Sequence, residues 1–184
     1  MDRGVEEYRR YLEGDDSGLS DLVRRYRDGL TLFLTALTGD PFLAEDAVQD
    51  TFIRLAVRRP RYTGKSSFKT WLYTIGRNHA VDLVRRRKKL TGDEPDEAAL
   101  ADEARAVEQT CLTNERDRIV HACLTRLRGD YSEALYLKYF EDASNAEIAR
   151  LTRRSVRQVE NLLYKAKAAL KKELLREGIT NEDL

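Results

Sequence analysis

Two helix-start signals lie 11 residues apart toward the C-terminal end of the chain, Ser144-Asn-Ala-Glu147 and Ser155-Val-Arg-Gln158. Each places a serine hydroxyl where it can accept the amide hydrogen of the third helical residue. Each also puts a glutamate or glutamine where its side chain can reach back to the serine amide. The spacing leaves room for a short helix, a tight turn and a second helix, which is the layout of a helix-turn-helix. In the second helix Val156, Val159, Leu163, Ala166 and Leu170 recur at steps of three and four, predicting one buried face. Arg157, Gln158, Asn161, Tyr164 and Lys165 fall opposite, with Arg153 and Arg154 in the turn and Ser155 at the cap. Such side chains can hydrogen-bond base edges and phosphates, and a helix N-terminus favours phosphate.

Helical spacing recurs through the rest of the chain, and no stretch alternates polar and apolar over strand lengths, so the fold is expected to be all-α. Leu19, Leu22, Val23, Tyr26, Leu30, Phe33, Leu34 and Leu37 form one periodic run, and Gly39 supplies its stop. Asp40 then caps the next helix, with Pro41 at its first position. That helix carries an apolar stripe of Ala44, Val48, Phe52 and Leu55, and a polar face of Glu45, Asp46, Gln49, Asp50 and Arg54. Composition alone gives this face no role beyond meeting water. After a loop holding Tyr62, Gly64, Lys65 and Ser66, a helix capped by Ser66 or Ser67 is expected from Phe68 to about Leu90. Its buried stripe would be Phe68, Leu72, Ile75, His79 and Leu83, with Trp71 more suited to the core than to stacking on bases. Asn78 beside Arg77 stands in mid-helix, where asparagine has weak propensity; it reads either as a surface contact to nucleic acid or as a hydrogen bond within its own domain.

Charge is divided along the chain. Residues 68–89, with Arg85, Arg86 and Arg87, carry a net +6 and residues 144–177 a net +5, while residues 91–108 between them carry −6. The acidic stretch lacks aromatics and has little to bury, and it reads as a linker with some frayed helix. The expected organisation is therefore two small helical domains, 1–90 and 113–184, joined by a flexible acidic linker over 91–112. With 35% of residues charged, each core must be small and wrapped in charge.

Several functions are excluded by what the sequence lacks. There is no run of about 18 apolar residues, so no membrane insertion is expected. The charged N-terminal residues do not resemble a secretion signal, and the chain is expected to act in the cytoplasm. Cys111 and Cys123 are too far apart on helix-like sequence to bridge, and His121 with Cys123 lacks metal-ligand spacing. Neither His79 near Asp82 nor His121 has an activated nucleophile or a phosphate-cradling glycine loop beside it. No enzyme activity, cofactor or metal is expected.

The order of parts resembles a bacterial RNA polymerase sigma factor of the extracytoplasmic-function group. The resemblance is carried by Ala44-Glu-Asp-Ala-Val-Gln-Asp-Thr-Phe-Ile-Arg54, Tyr62-Thr-Gly64 and Phe68-Lys-Thr-Trp-Leu-Tyr-Thr-Ile-Gly-Arg-Asn78 in the first domain. In the second it rests on Leu135-Tyr-Leu-Lys-Tyr-Phe140, Ala146-Glu-Ile-Ala149, Val156-Arg-Gln-Val159 and Tyr164-Lys-Ala-Lys167. It implies a promoter-specificity subunit that binds core RNA polymerase and promoter DNA under the control of an anti-sigma factor. Glu45, Asp46, Gln49, Asp50 and Arg54 would dock on the clamp helices of the largest subunit, and the second domain on the flap of the second-largest. Tyr62, Lys65, Ser66, Arg77 and Asn78 would hold the non-template strand of the minus-ten element, with Arg85, Arg86 and Arg87 on phosphates. Arg153, Arg154, Ser155, Arg157, Gln158, Asn161, Tyr164 and Lys165 would contact the minus-thirty-five element. The chain departs from many relatives at residues 157–161, and the turn Leu151-Thr-Arg-Arg154 lacks the frequent glycine. The rival within DNA binding is a stand-alone helix-turn-helix regulator whose first domain senses a ligand or dimerises.

Overall fold

The structure, a computed structural model, describes residues 2–90 and 97–179, which are helical and contain no strand. The helices are α1 (Arg3–Leu12), α2 (Ser17–Thr38), α3 (Pro41–Arg58), α4 (Phe68–Leu90), α5 (Glu97–Cys111), α6 (Glu115–Thr125), α7 (Gly129–Tyr139), α8 (Asn145–Thr152) and α9 (Val156–Arg176). The local signals act as the sequence predicts. Gly39 ends α2 in the left-handed region, φ 66°, and the Asp40 carboxylate accepts the amides of Phe42 at 2.9 Å and Leu43 at 3.2 Å. Of the two candidate serines it is Ser67 that starts α4, accepting the Thr70 amide at 3.1 Å. Asp2 accepts the Phe68 amide at 2.9 Å, which ties the start of the chain to the same helix end.

Helices α1–α4 bury Leu22, Leu30, Phe33, Ala44, Val48, Leu55 and Leu72 between them. The buried arc of α4 is rotated from the expected stripe: Phe68 and Leu72 are buried as predicted, but Tyr73, Gly76 and Ala80 are buried while Ile75, His79 and Leu83 are only half-buried. The cause is non-local. Tyr73 stacks on Phe33 of α2 with ring centroids 5.2 Å apart and donates its hydroxyl to Glu141 of the second half at 3.2 Å, while Gly76 faces Leu30 and Leu34 of α2 and Thr51 of α3.

In the second half α8 and α9 form the helix-turn-helix against α6 and α7, burying Leu124, Leu135, Ile148, Val159, Leu163 and Ala166. Val156, expected on this face, is 43% exposed. It stands at the first helical position, beyond the edge of the helices that cover Val159.

The two cores are continuous in this arrangement. Tyr136 of α7 stacks on Phe140 at 4.9 Å, lies 5.7 Å from Phe33 and donates its hydroxyl to the Gly29 carbonyl at 3.2 Å. The start of α7 approaches the end of α2 so closely that a β-carbon at Gly129 would stand 2.6 Å from the Leu37 carbonyl oxygen. A second difference lies in the acidic segment. Residues 91–96 are outside the described residues, but 97–111 form helix α5 against α2, α3 and α6 rather than a flexible tether. The segment is not a bare tether because Val107 and Cys111, one turn apart on α5, and Leu112 just past its end do find a core to pack on. Glu108 is buried with them and meets a fully buried His121 at 2.8 Å, and the other ring nitrogen of His121 meets the Leu32 carbonyl at 3.0 Å. A carbonyl only accepts, so the Nε2–H of His121 is the donor to Leu32.

Candidate DNA and protein interfaces

The turn of the helix-turn-helix is made without glycine. Arg153 takes the left-handed conformation itself, φ 57°, and the Arg154 amide donates to the Ala149 carbonyl at 2.9 Å. Its side chain turns back toward Asp130 at 3.4 Å. The second capping box closes as predicted: Ser155 Oγ accepts the Gln158 amide at 3.2 Å, and Gln158 Oε1 accepts the Ser155 amide at 2.8 Å. Ser155 and Gln158 are thus occupied in starting the helix, leaving the amide nitrogen of Gln158 as its outward group.

Arg157, Asn161, Tyr164 and Lys165 remain on an exposed face, with Tyr164 79% exposed. Among the described residues, Arg153, Arg157 and Lys165 have no ion-pair partner. Exposed arginines elsewhere do pair, as Arg9 with Glu6 at 2.7 Å and Arg128 with Asp130 at 2.7 Å. A face with this much uncompensated positive charge favours an anionic ligand.

In the first half the loop before α4 is held by aromatic contacts. Tyr62 meets Trp71 edge-on at 5.4 Å and Phe68 at 5.6 Å, and its hydroxyl donates to the Ser66 carbonyl. Burial raises the Tyr62 phenol above its usual value, so the ring stays neutral. Lys65 and Gly64 are exposed at the loop tip, and Asn78, half-buried, makes no side-chain hydrogen bond to any described residue. The basic residues divide. Lys65, Arg85 and Arg86 face solvent, Arg85 within 3.7 Å of Asp82, while Arg87 pairs with Asp40 at the start of α3. Arg77 points the other way, its Nε donating at 2.6 Å to Glu133 of α7, whose side chain is 1% exposed. Lys69 pairs likewise with the mostly buried Glu141, and Arg150 of α8 donates to the Lys65 carbonyl at 3.0 Å. The second half therefore covers part of α4 and its loop.

On α3 the polar face is a linked set. Asp50 pairs with Arg54, Arg54 also lies 3.0 Å from His79 Nδ1, and Gln49 donates to Glu45 at 3.2 Å. Asp46 and Gln49 are exposed. Sequence reasoning missed the apolar members of this surface: Phe42, Ile53 and Val57, on the same stripe as Asp46 and Gln49, are 54%, 57% and 76% exposed. Their steps of four, three, four and four along one stripe were the available signal. A second apolar surface, a groove of about 710 Å³ between α6, α7 and α9, is lined by Val120, Leu135, Tyr139, Phe140, Leu170 and Leu174.

The thiols are inert in character. Cys111 and Cys123 lie on separate helices, and burial pushes Cys111 up to about 11 and Cys123 upward too. Among the described residues no cluster of side chains could hold a metal ion, and no helix is long and apolar enough to cross a membrane.

The chain thus joins a helix-turn-helix to a helical module that exposes a mixed polar and apolar stripe on α3. Comparison with known proteins specifies the class. The Sigma-70 region 2 model matches residues 22–90 and the Sigma-70, region 4 model residues 117–170, together about two thirds of the chain. The chain is 27% identical over 170 residues to the ECF RNA polymerase sigma factor SigM of Bacillus subtilis, covering 89% of this chain and 99% of that one. It is 28% identical over 178 residues to the RNA polymerase sigma-H factor of Pseudomonas aeruginosa, covering 90% of each. Among solved structures, CnrH in complex with the cytosolic domain of CnrY has a TM-score of 0.64 at 24% identity, covering 94% of this chain and 96% of that one. The sigma factor RpoE in complex with the anti-sigma factor NepR from Bartonella quintana has a TM-score of 0.64 at 19% identity, covering 84% and 95%. The chain belongs to the sigma-70 family, in its extracytoplasmic-function group.

Proposed function

We propose that this sigma factor carries core RNA polymerase to promoters through three surfaces. The exposed stripe of α3, with Asp46, Gln49, Ile53 and Val57 beside Glu45, Asp50 and Arg54, docks on the clamp helices of the largest subunit. The apolar groove between α6, α7 and α9 receives the flap of the second-largest. The α9 face, with Arg157, Asn161, Tyr164 and Lys165, enters the major groove of the minus-thirty-five element, and Tyr62, Lys65, Ser66 and Asn78 hold a base flipped from the minus-ten element. Arg85, Arg86 and, once released from Asp40, Arg87 lie along nearby phosphates.

The observation that carries this reading is the α9 face, where Arg157 and Lys165 have no carboxylate partner among the described residues while Val159, Leu163 and Ala166 on the opposite face are buried. The protein works in the cytoplasm with the polymerase and supplies no chemistry of its own. Control by an anti-sigma factor is supported by the RpoE structure, where such a partner is bound to a similar fold. Holding both domains on one polymerase makes the second DNA contact intramolecular, so two weak sites select one promoter.

Two substitutions test the assignment. Arg157→Ala in the holoenzyme is expected to cost about 1–3 kcal/mol and to relax base preference at one upstream position. An equal loss on all sequences would make Arg157 a phosphate contact. Asn78→Ala is expected to slow promoter opening, read by permanganate reactivity of unpaired thymines, with polymerase binding intact. Flipping a base costs a few kcal/mol, which the pocket must offset. Loss of polymerase binding would instead show Asn78 to be structural.

A further inference from the structure

The seam between the two halves is closed by charge. Lys69 and Arg77, both on α4, each meet a carboxylate of the second half. Arg77 pairs with the buried Glu133 of α7 at 2.6 Å, and Lys69 with the mostly buried Glu141 just past that helix, which also accepts the Tyr73 hydroxyl at 3.2 Å. Backbone groups continue the seam on either side. Arg150 of α8 donates to the Lys65 carbonyl at 3.0 Å, Tyr136 donates to the Gly29 carbonyl at 3.2 Å, and Gly129 lies against the Leu37 carbonyl with no room for a β-carbon. The helix-turn-helix thus sits directly on the loop before α4.

We infer that this arrangement is a self-masked state, in which Glu133 and Glu141 neutralise cations of α4 that phosphates would otherwise hold, and that the halves part before the chain engages a promoter. The inference rests on the proposed two-element function. Elements about 25 base pairs apart are separated by roughly 85 Å on straight duplex, at ~3.4 Å per pair. A compact chain of this length has a radius of gyration of about 16 Å, hence a width of roughly 40 Å. With α8 touching the loop at Lys65, no placement of the closed chain spans both elements. The chemistry of the seam suits release. Desolvating both charges of a buried ion pair offsets most of their attraction, so such pairs select one arrangement while adding little net stability to it. On opening, phosphates can take over Lys69 and Arg77, and water suffices for the freed carboxylates.

Gly129→Ala tests this without changing a charge or a proposed DNA or polymerase contact. Its β-carbon would stand 2.6 Å from the Leu37 carbonyl oxygen, a clash that exists only while the halves are together. Glu141→Gln breaks the Lys69 pair with little change of shape, and it carries the test if circular dichroism shows Gly129→Ala to have lost helix. Free wild-type protein should scatter X-rays as a particle of radius of gyration about 16 Å, and both variants should be larger. Both should bind mixed-sequence single-stranded DNA more tightly. For Gly129→Ala the slope of log K against log salt should steepen by as much as ~1.4, about 0.7 for each of the two cations released. In the holoenzyme Gly129→Ala should direct the same start sites as wild type. A wild-type protein already extended in solution overturns the inference, and so does an unchanged radius in both variants. A larger radius with no gain in DNA binding overturns it as well, as does a folded Gly129→Ala that loses the wild-type start sites. If wild-type protein itself directs no start sites, the proposed function fails and removes the role given to the seam. Scattering and salt slope of the free protein, which involve no polymerase, tell that failure apart.

Discussion

Arg77→Ala is expected to lower the stability of the free protein by roughly 3–5 kcal/mol, because it strands a buried carboxylate. Arg77 and Glu133 are 17% and 1% exposed and meet at 2.6 Å across the contact between α4 and α7. Removing the guanidinium leaves Glu133 with neither water nor counter-charge, and a domain has only about 5–15 kcal/mol in total. Urea unfolding should show the midpoint falling sharply. Replacing both residues by apolar ones of similar size, Arg77→Met with Glu133→Leu, should restore most of the loss, since a buried pair exchanged for apolar contact is often neutral. An unchanged midpoint for Arg77→Ala would mean that the pair does not form. The pair also conditions the DNA reading. The family resemblance places Arg77 on the minus-ten strand, and it can reach DNA only after α7 leaves α4. A transcription defect of Arg77→Ala therefore has to be read beside its unfolding curve.

The second large effect is expected at His121. His121→Leu removes the partner of the buried Glu108 and a donor to the Leu32 carbonyl, the contacts by which α6 holds both α5 and α2. Stranding Glu108 should again cost several kcal/mol, a fall in Tm on the order of 10 °C for a chain this long. Glu108→Gln should be much milder, because an amide still hydrogen-bonds to Nδ1. A Tm for His121→Leu equal to wild type would show that α5 is not anchored through this histidine.

What was legible in the sequence was local. Both capping boxes, the Asp40–Pro41 start and the Gly39 stop depend on residues within a turn of one another, and each forms as its spacing predicts. The two-step helix-turn-helix follows from them. What was not legible depends on residues far apart in the chain. The rotation of the buried arc on α4, the exposure of Val156 and the folding of acidic residues into α5 are all decided by which helix covers which, and periodicity within one segment carries no such information. At the candidate site the engagement of several side chains was hidden from the sequence. Gln158 spends its oxygen on the cap, Arg154 turns to Asp130, and Arg77 is committed to Glu133. The apolar members of the α3 stripe escaped notice because the search there followed charge.

The central claim is that the chain selects promoters only as part of the polymerase, and sequencing the 5′ ends of run-off transcripts tests it most directly. Core RNA polymerase is supplied with a library of promoter fragments, with and without this protein. Start sites that depend on the protein should share two short elements at a constant separation, and protein alone should protect neither on duplex DNA. Transcripts that do not depend on the protein, together with strong protection of one element by protein without polymerase, would contradict the account and mark the chain as a stand-alone regulator.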